Sequence, residues 1–310
     1  MKTLNLAYPE KSDIKYRVDK FPDGQQQVVI LDPVPDRTGE KTEHYIRGTN
    51  RRYLIIPQIV PVQIKTRLNT FTDLELIICA TKSLKNLGVK EIHLYTPYFM
   101  GARSDRQFES GSNNYLKDVI CPIINSLEFD SVTVLDPHSD VLEACLNNFR
   151  KESNINLVYF TMNQLRPLGI ADDYILVSPD AGASKKIYKI AEQIGYKGDI
   201  ITCSKDRDND GKLTKTIVPV KDTGPLCKKD YIIIDDICDG GATFINIAKE
   251  LKKLYNCNKI YLIVTHGIFS KGFEELSKYF DGIYCTNSYK DIQPLDLHNF
   301  RPFLKQLNVF

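Results

Sequence analysis

The chain is 310 residues long and 42% hydrophobic, enough to bury a sizeable core, and its length fits two domains of ordinary size better than one. Its 41 Lys and Arg nearly balance 39 Asp and Glu, so the net charge of +2 supplies no global field for a nucleic acid or a membrane surface, and any phosphate binding has to be local. Residues 1–10 lack the apolar core of a signal peptide, no later apolar run approaches the roughly 18 residues that span a bilayer, and a cytoplasmic location is expected. The eight cysteines are scattered, without a Cys-x-x-Cys pair or a Cys/His cluster at zinc spacing, and read as reduced, mostly core residues.

In chain order, apolar runs rich in β-branched residues alternate with stretches of helical period, a βαβα rhythm that calls for a mostly parallel sheet covered on both faces. The first half reads as strands at 27–31, 53–56, 91–96 and 131–135 with helices at 72–87, 113–127 and 140–148. The polar stretch 148–154 carries charge without periodicity and is the expected linker, dividing a first domain 1–149 from a second, 150–310. The second half repeats the rhythm, with strands at 174–177, 199–203, 231–234 and 259–264 and helices at 183–194, 243–254 and 273–280. The fold class is therefore α/β, and a duplicated pair of domains is expected.

The most informative segment is Tyr231-Ile232-Ile233-Ile234, a buried-strand run feeding into Asp235-Asp236-Ile237-Cys238-Asp239-Gly240-Gly241-Ala242-Thr243 before a helix. Ligands of open α/β sheets bind beyond the carboxyl ends of strands, and a turn of small residues followed by a helix N-terminus lets backbone N–H groups close on a phosphate. Asp235 and Asp236 suit the hydroxyls of a sugar beside that phosphate. The alternative is a capped turn with Asp239 as helix N-cap and the glycines for backbone freedom. A Walker-type nucleotide site is disfavoured, because Gly-x-x-x-x-Gly-Lys-Ser/Thr does not occur.

Other segments follow strands in the same way. Pro97-Tyr98-Phe99-Met100-Gly101-Ala102-Arg103-Ser104-Asp105-Arg106 is suited to an ATP polyphosphate, or is an exposed basic turn with an internal ion pair. Asp136-Pro137-His138 closes a strand, where a lone His is more often structural than a ligand. Val177-Ser178-Pro179-Asp180-Ala181-Gly182-Ala183 is another strand-to-helix loop. The polar run Ser204-Lys205-Asp206-Arg207-Asp208-Asn209-Asp210-Gly211-Lys212 reads as a solvated loop or as a lid whose cations close on a transferring phosphoryl chain.

Taken in order over about residues 20–285, these segments resemble the ribose-phosphate pyrophosphokinases, of which the chain looks like a divergent member. The acidic loop is similar to that family's phosphoribosyl diphosphate loop, shared with type I phosphoribosyltransferases. There the paired acids are usually followed by Asp-Thr-Gly/Ala-Gly-Thr, so Gly240 stands in place of a hydroxyl that helps hold the 5-phosphate. Residues 97–106 resemble Pro-Tyr-Phe-x-x-Ala-Arg-Gln-Asp-Arg with Ser104 for Gln; Asp136-Pro137-His138 resembles Asp-Leu-His; residues 178–183 resemble Ser-Pro-Asp-x-Gly-Gly. Lys205 and Arg207 fit a mobile Lys-x-Arg, Phe21-Pro22-Asp23-Gly24-Gln25 is similar to an adenine-cradling Phe-Ser-Asp-Gly-Glu, and Thr265-His266-Gly267-Ile268-Phe269 resembles a Thr-His-Gly-Leu-Phe strand end read mainly as structural.

The resemblance implies two type I phosphoribosyltransferase-like domains, the first on the ATP side and the second on the ribose-phosphate side. It implies diphosphoryl transfer from Mg-ATP to the C1 hydroxyl of ribose 5-phosphate, with AMP leaving. Phe21, Asp23, Gln25, Arg103, Ser104, Asp105 and His138 would bind ATP. Asp180, Asp235, Asp236, Asp239, Gly240, Gly241, Ala242 and Thr243 would bind the ribose phosphate, His138 and Asp180 the magnesium, and Lys205 and Arg207 would stabilise the transferring group. Small-molecule partners, no nucleic acid or membrane, and a homo-oligomer are expected. Three other readings stand beside it: the same transfer to a larger acceptor such as ADP-ribose, a phosphoribosyltransferase, and a non-catalytic regulatory paralogue.

Overall fold

The computed structural model describes the chain apart from residues 32–42, 46–51, 55–59, 169–173, 208–212, 220–228, 256 and 293–302. Two compact units divide it, Met1–Glu152 with Phe310, and Ser153–Val309.

The first unit begins with β1 (Lys2–Asn5), the hairpin β2 (Tyr16–Lys20) and β3 (Gln26–Ile30), and the short antiparallel pair β4 (Glu43–Tyr45) and β5 (Arg52–Leu54). Of the expected strand 53–56, residues 55 and 56 lie outside the described residues. There follow β6 (Val62–Lys65), α1 (Phe71–Asn86), β7 (Ile92–Tyr95), α2 (Cys121–Asn125), β8 (Ser131–Leu135), α3 (Val141–Cys145) and β9 (Phe149–Glu152). The main sheet is parallel throughout, in the order β1-β6-β7-β8-β9. Helix α1 starts where a capping box allows: the Thr70 hydroxyl accepts from Asp73 N, and the Asp73 carboxylate accepts from Thr70 N at 2.9 Å. It seats the β2–β3 hairpin, since Ser83 donates to the Val28 carbonyl at 2.7 Å and Gln26 N donates to Glu75 at 3.0 Å.

Three expectations in this unit need correction. The helix expected over 113–127 is a π-helical turn, Leu116–Ile120, continued by α2. Pro122 is the reason: it has no N–H to donate and its ring crowds the carbonyl one turn back, so the turn widens and Cys121 N–H reaches the Leu116 carbonyl. The helix expected over 140–148 stops at Cys145, and Asn148 turns the chain with a φ of +53°. The division between the two units falls inside the expected linker 148–154, at Glu152/Ser153, but most of that stretch is regular structure, because Phe149–Glu152 pairs parallel with β8 as an edge strand. Edge strands tolerate charged side chains such as Arg150 and Lys151, which hid its strand character.

The second unit runs α4 (Ile155–Leu165), β10 (Tyr174–Ser178), α5 (Ala181–Gln193), β11 (Ile200–Thr202), an antiparallel ribbon of β12 (Ser204–Arg207) and β13 (Leu213–Ile217), β14 (Lys229–Cys238), α6 (Ala242–Leu254), β15 (Cys257–Gly267), α7 (Glu274–Ser277), β16 (Gly282–Thr286) and β17 (Leu304–Leu307). Its six-stranded sheet is again parallel, in the order β11-β10-β14-β15-β16-β17. Alternate residues of the central strands feed opposite layers, as the two-residue period of a strand requires. Ile175, Val177, Tyr231 and Ile233 pack with Phe244, Ile247 and Leu251 of α6, while Leu176, Ile232 and Ile234 pack with Val158 of α4 and Ile187 and Ile190 of α5. Each unit is thus a mostly parallel sheet flanked by helices, the α/β class that the sequence rhythm calls for.

Among the described residues no helix is long and apolar enough to cross a membrane. Seven of the cysteines are described and all are free, with Cys121, Cys203, Cys238 and Cys285 buried; Cys227 lies outside the described residues.

Candidate active site

In the second sheet the chain leaves β10 toward β11 on one side and returns to β14 on the other, so the strand order reverses between β10 and β14. Such a switch point opens a crevice at the carboxyl ends of the two strands. The register sharpens it: β10 pairs with β14 only as far as Val177 opposite Ile233, whereas β14 continues beside β15 until Cys238 faces Gly267. Asp235 and Asp236 occupy that overhang.

Asp236 is 5% exposed, and its N–H donates to Asp235 Oδ1 at 2.9 Å. Burial first, and then the Asp236 carboxylate and a hydrogen bond to it, push the Asp235 carboxyl well above the ordinary carboxylate range, while the Lys186 ammonium pulls the other way. Two carboxylates held this close, one half-buried and the other buried, repel each other when both are charged. The arrangement is relieved by a ligand that brings hydroxyl donors or a cation. Lys186, on α5, is the participant that sequence reasoning missed. Its signal was available, since it lies two turns into the helix that follows Asp180 at the neighbouring strand end.

Beyond β14, the loop turns into α6 through Gly241, whose φ is +78° and whose side the buried Leu276 crowds; a Cβ there would sit 2.9 Å from Leu276 Cδ2. Gly241 is the N-cap of α6 and no side chain caps the helix. The alternative of a turn capped by Asp239 is therefore corrected. The carboxylate stands two residues before the cap position, and the N-cap residue offers no side chain to the first-turn N–H groups, the donors with which helix N-termini bind anions. Gly240 differs from its neighbour: it has no positive φ, and a Cβ would meet only the methylenes of Lys271, at an ordinary 3.4 Å. The turn after β15 supports the loop from below, with Ile268 N and Phe269 N donating to the Cys238 carbonyl at 2.9 and 3.1 Å and Ser270 N to the Asp239 carbonyl at 3.3 Å. His266 is 2% exposed and bonded through Nδ1 to Ser288 Oγ at 2.8 Å, in keeping with a structural reading of 265–269.

Across the crevice, Asp180 ends the β10 loop and caps α5, its Oδ1 accepting from Ala183 N at 3.0 Å. Ser178 and Ser184 brace it by donating to its carbonyl at 2.8 and 3.4 Å, and Ser184 reaches Thr202 at the end of β11. One residue past β11 the β12–β13 ribbon begins, with Lys205 opposite Thr216. Lys205 and Arg207 thus have their backbone on a two-stranded ribbon rooted at the carboxyl edge, and their side chains lie outside the described residues.

In the first unit the expected ATP residues fall in two places. Arg103, Ser104 and Asp105 follow β7, and His138 follows β8, at adjacent carboxyl ends. The β7 loop is held by Leu116 N donating to the Ser104 carbonyl at 3.1 Å and Asn114 Nδ2 to the Asp105 carbonyl at 2.8 Å. It turns at Gly101, with φ +79°, where a Cβ would lie 2.7 Å from the Tyr115 ring. Arg103 and His138 are exposed, and the buried Asp136 before His138 holds a φ of +46°. The left-handed region is uncommon for a non-glycine residue and is met most often at Asn and Asp. Phe21, Asp23 and Gln25 stand apart, on the exposed tip of the β2–β3 hairpin, where Phe21 N donates to the Gln25 carbonyl at 2.9 Å. A surface hollow lined by Ile124, Phe129, Asp130 and Asn147 lies at the opposite, amino edge of this sheet, away from all these loops.

No family model matches the chain. It is 28% identical to the ribose-phosphate pyrophosphokinase of Mycoplasmopsis pulmonis over 77% of this chain and 73% of that one. With the Pyrococcus furiosus ribose-phosphate pyrophosphokinase the identity is 25%, over 93% of this chain and 91% of the relative. In fold it is similar to the phosphoribosylpyrophosphate synthetase of Mycobacterium smegmatis, with a TM-score of 0.74 over 100% of this chain and 95% of that one at 17% identity. The chain is thus similar to ribose-phosphate pyrophosphokinases in sequence over most of its length, and to a phosphoribosylpyrophosphate synthetase in fold.

Proposed function

We propose that the chain transfers the β,γ-diphosphoryl group of ATP to the C1 hydroxyl of ribose 5-phosphate, giving phosphoribosyl diphosphate and AMP. The observation that carries this reading is the β10/β14 crevice, where an acidic pair, Asp236 buried and Asp235 half-buried, adjoins a helix N-terminus without a side-chain cap. A hydroxyl-bearing sugar with a terminal phosphate satisfies both halves at once. The carboxyls of Asp235 and Asp236 accept from the ring hydroxyls, and the backbone from Asp239 through Gly240 and Gly241 to Ala242 and Thr243 closes on the 5-phosphate. The second unit is accordingly the ribose-phosphate side and the first the ATP side.

On the ATP side, Arg103, Ser104, Asp105 and His138 serve the nucleotide from the β7 and β8 loops, and the hairpin tip with Phe21, Asp23 and Gln25 offers an aromatic edge to adenine. That exposed tip suits a binding surface completed by another copy of the chain, which is the ground for proposing a homo-oligomer. The reaction asks for little covalent chemistry from the protein. In-line placement of the C1 hydroxyl against the β-phosphorus and neutralisation of the charge that develops supply most of the rate. Lys205 and Arg207, on the ribbon at the carboxyl edge, provide that neutralisation from a part of the fold able to close on the substrates.

A magnesium ion takes oxygen ligands and reaches the protein through few of them, which fits the crevice, where carboxylates predominate. Asp180 would hold it directly, whereas the His138 imidazole suits a phosphate oxygen or a metal-bound water better than magnesium itself. When bound, such an ion would supply positive charge against the polyphosphate as negative charge develops there.

The test is to incubate the protein with Mg-ATP and either ribose 5-phosphate or ADP-ribose, and to follow AMP. Ribose 5-phosphate-dependent AMP formation is expected. AMP with ADP-ribose alone would move the acceptor to a larger ribose 5-phosphoryl compound, and no AMP with either would overturn diphosphoryl transfer.

A further inference from the structure

The phosphate loop has a neighbour to which neither composition nor motif draws attention. Lys271 lies in the turn after β15, and its stem runs along the open side of Gly240. A Cβ at position 240 would sit 3.4 Å from both its Cδ and Cε and 3.7 Å from its Cγ. The ammonium, one bond of about 1.5 Å beyond Cε, is therefore within about 5 Å of that position. The placement is fixed by the backbone, because Ile268, Phe269 and Ser270 donate to the carbonyls of Cys238 and Asp239, so the turn and the loop move together. Lys271 is exposed and makes no ion pair or hydrogen bond among the described residues, and its stem lies beside the glycine.

We propose that Lys271 is a phosphate-binding residue of this site. Its methylenes fill the groove that the missing side chain of Gly240 opens, and its ammonium supplies the donor and the charge that a hydroxyl at position 240 would otherwise provide. A side chain at 240 and the Lys271 stem occupy the same space, so the two are alternative solutions to one need. The chemistry favours a monoester phosphate as ligand. A terminal phosphate with a second pKa near 6 is close to dianionic at neutral pH, and a compact ammonium gains more from two charges than from the single charge of a diester. Lys271 thereby selects ribose 5-phosphate over an acceptor whose 5-phosphate is esterified further. The inference rests on the functional reading above for the identity of the sugar.

The experiment measures both turnover and equilibrium binding, the second with ribose 5-phosphate alone, so the two readings fail separately. Lys271→Gln should weaken binding of ribose 5-phosphate, and raise its KM, by about tenfold to a hundredfold, the range for a lost hydrogen bond to a charged group. The KM for ATP and the melting temperature should stay where they are. Lys271→Arg should retain most of the affinity, the wild-type affinity should fall with salt more steeply than that of Lys271→Gln, and Gly240→Thr introduced into Lys271→Gln should recover part of the loss. Unchanged ribose 5-phosphate affinity in Lys271→Gln overturns the proposal. Binding by the wild type that weakens in the variant, without AMP formation by either, upholds Lys271 and overturns diphosphoryl transfer. A wild type that neither binds ribose 5-phosphate nor releases AMP overturns both.

Discussion

Replacing Gly241 by Ala tests whether the phosphate loop is built the way its geometry says. Gly241 holds a φ of +78°, where a residue with a Cβ costs about 1–2 kcal/mol. The added methyl would also lie 2.9 Å from Leu276 Cδ2, and Leu276, 2% exposed, has no solvent to retreat into. Forcing one carbon into packed surroundings costs a further 1–3 kcal/mol or so. The expected loss is about 2–5 kcal/mol, which for a unit of this size lowers Tm by roughly 4–20 °C. The control is its neighbour. Gly240→Ala has ordinary backbone and meets only a flexible lysine stem, so it should change stability by less than about 0.5 kcal/mol. Thermal melting of the full chain, with urea unfolding as a second measure, reads the difference. The Gly241 variant should also bind ribose 5-phosphate at least tenfold more weakly, because the start of α6 must shift. Equal melting temperatures for the two variants would refute the claim that Gly241 is forced by the turn.

Three further outcomes follow from the same structure. Asp235→Asn should stabilise the protein increasingly as pH rises. The folded pKa of Asp235 is raised, so the wild type keeps its full stability below the unfolded value of about 4 and loses it as pH climbs through the folded one. A Tm difference between variant and wild type that is flat from pH 4 to 8 would contradict this, and the variant should at the same time lose acceptor binding. Gly101→Ala, with its φ of +79° and a Cβ 2.7 Å from Tyr115, should destabilise the first unit and raise the KM for ATP while sparing that for ribose 5-phosphate; a rise in the latter alone would misplace the nucleotide. Lys205→Ala and Arg207→Ala should each lower kcat by about 100-fold to 1,000-fold with smaller changes in KM, as for donors that act on charge developing in the transition state. Unchanged kcat would remove the ribbon from the mechanism.

The fold was legible where burial sets the pattern. The β-branched runs at 131–135, 174–177 and 231–234 are strands, and the amphipathic stretches around 72–87 and 243–254 are helices, because each side chain there has one face to satisfy. It was hidden where local chemistry and tertiary pairing disagree. β14 runs on through Asp235 and Asp236 to Cys238 because β15 continues to pair with it, although two adjacent acids read as a strand end. β9 has the charged pattern of an edge, and Pro122 imposed a π turn that no period announces. The candidate site was legible as motifs and partly opaque as contacts. Acid pair, glycine turn and helix are adjacent in sequence. Lys186 comes from the helix after a different strand and Lys271 from the turn after the next one, and only parallel pairing brings them to the acid pair and to the loop.

A phosphorus NMR time course of Mg-ATP with ribose 5-phosphate distinguishes diphosphoryl transfer from every other fate of the two substrates. AMP and a sugar carrying a new diphosphoryl group at C1 should form one for one, with no accumulation of ADP. ADP appearing with a singly phosphorylated sugar, or ATP persisting beside unchanged ribose 5-phosphate, would contradict it.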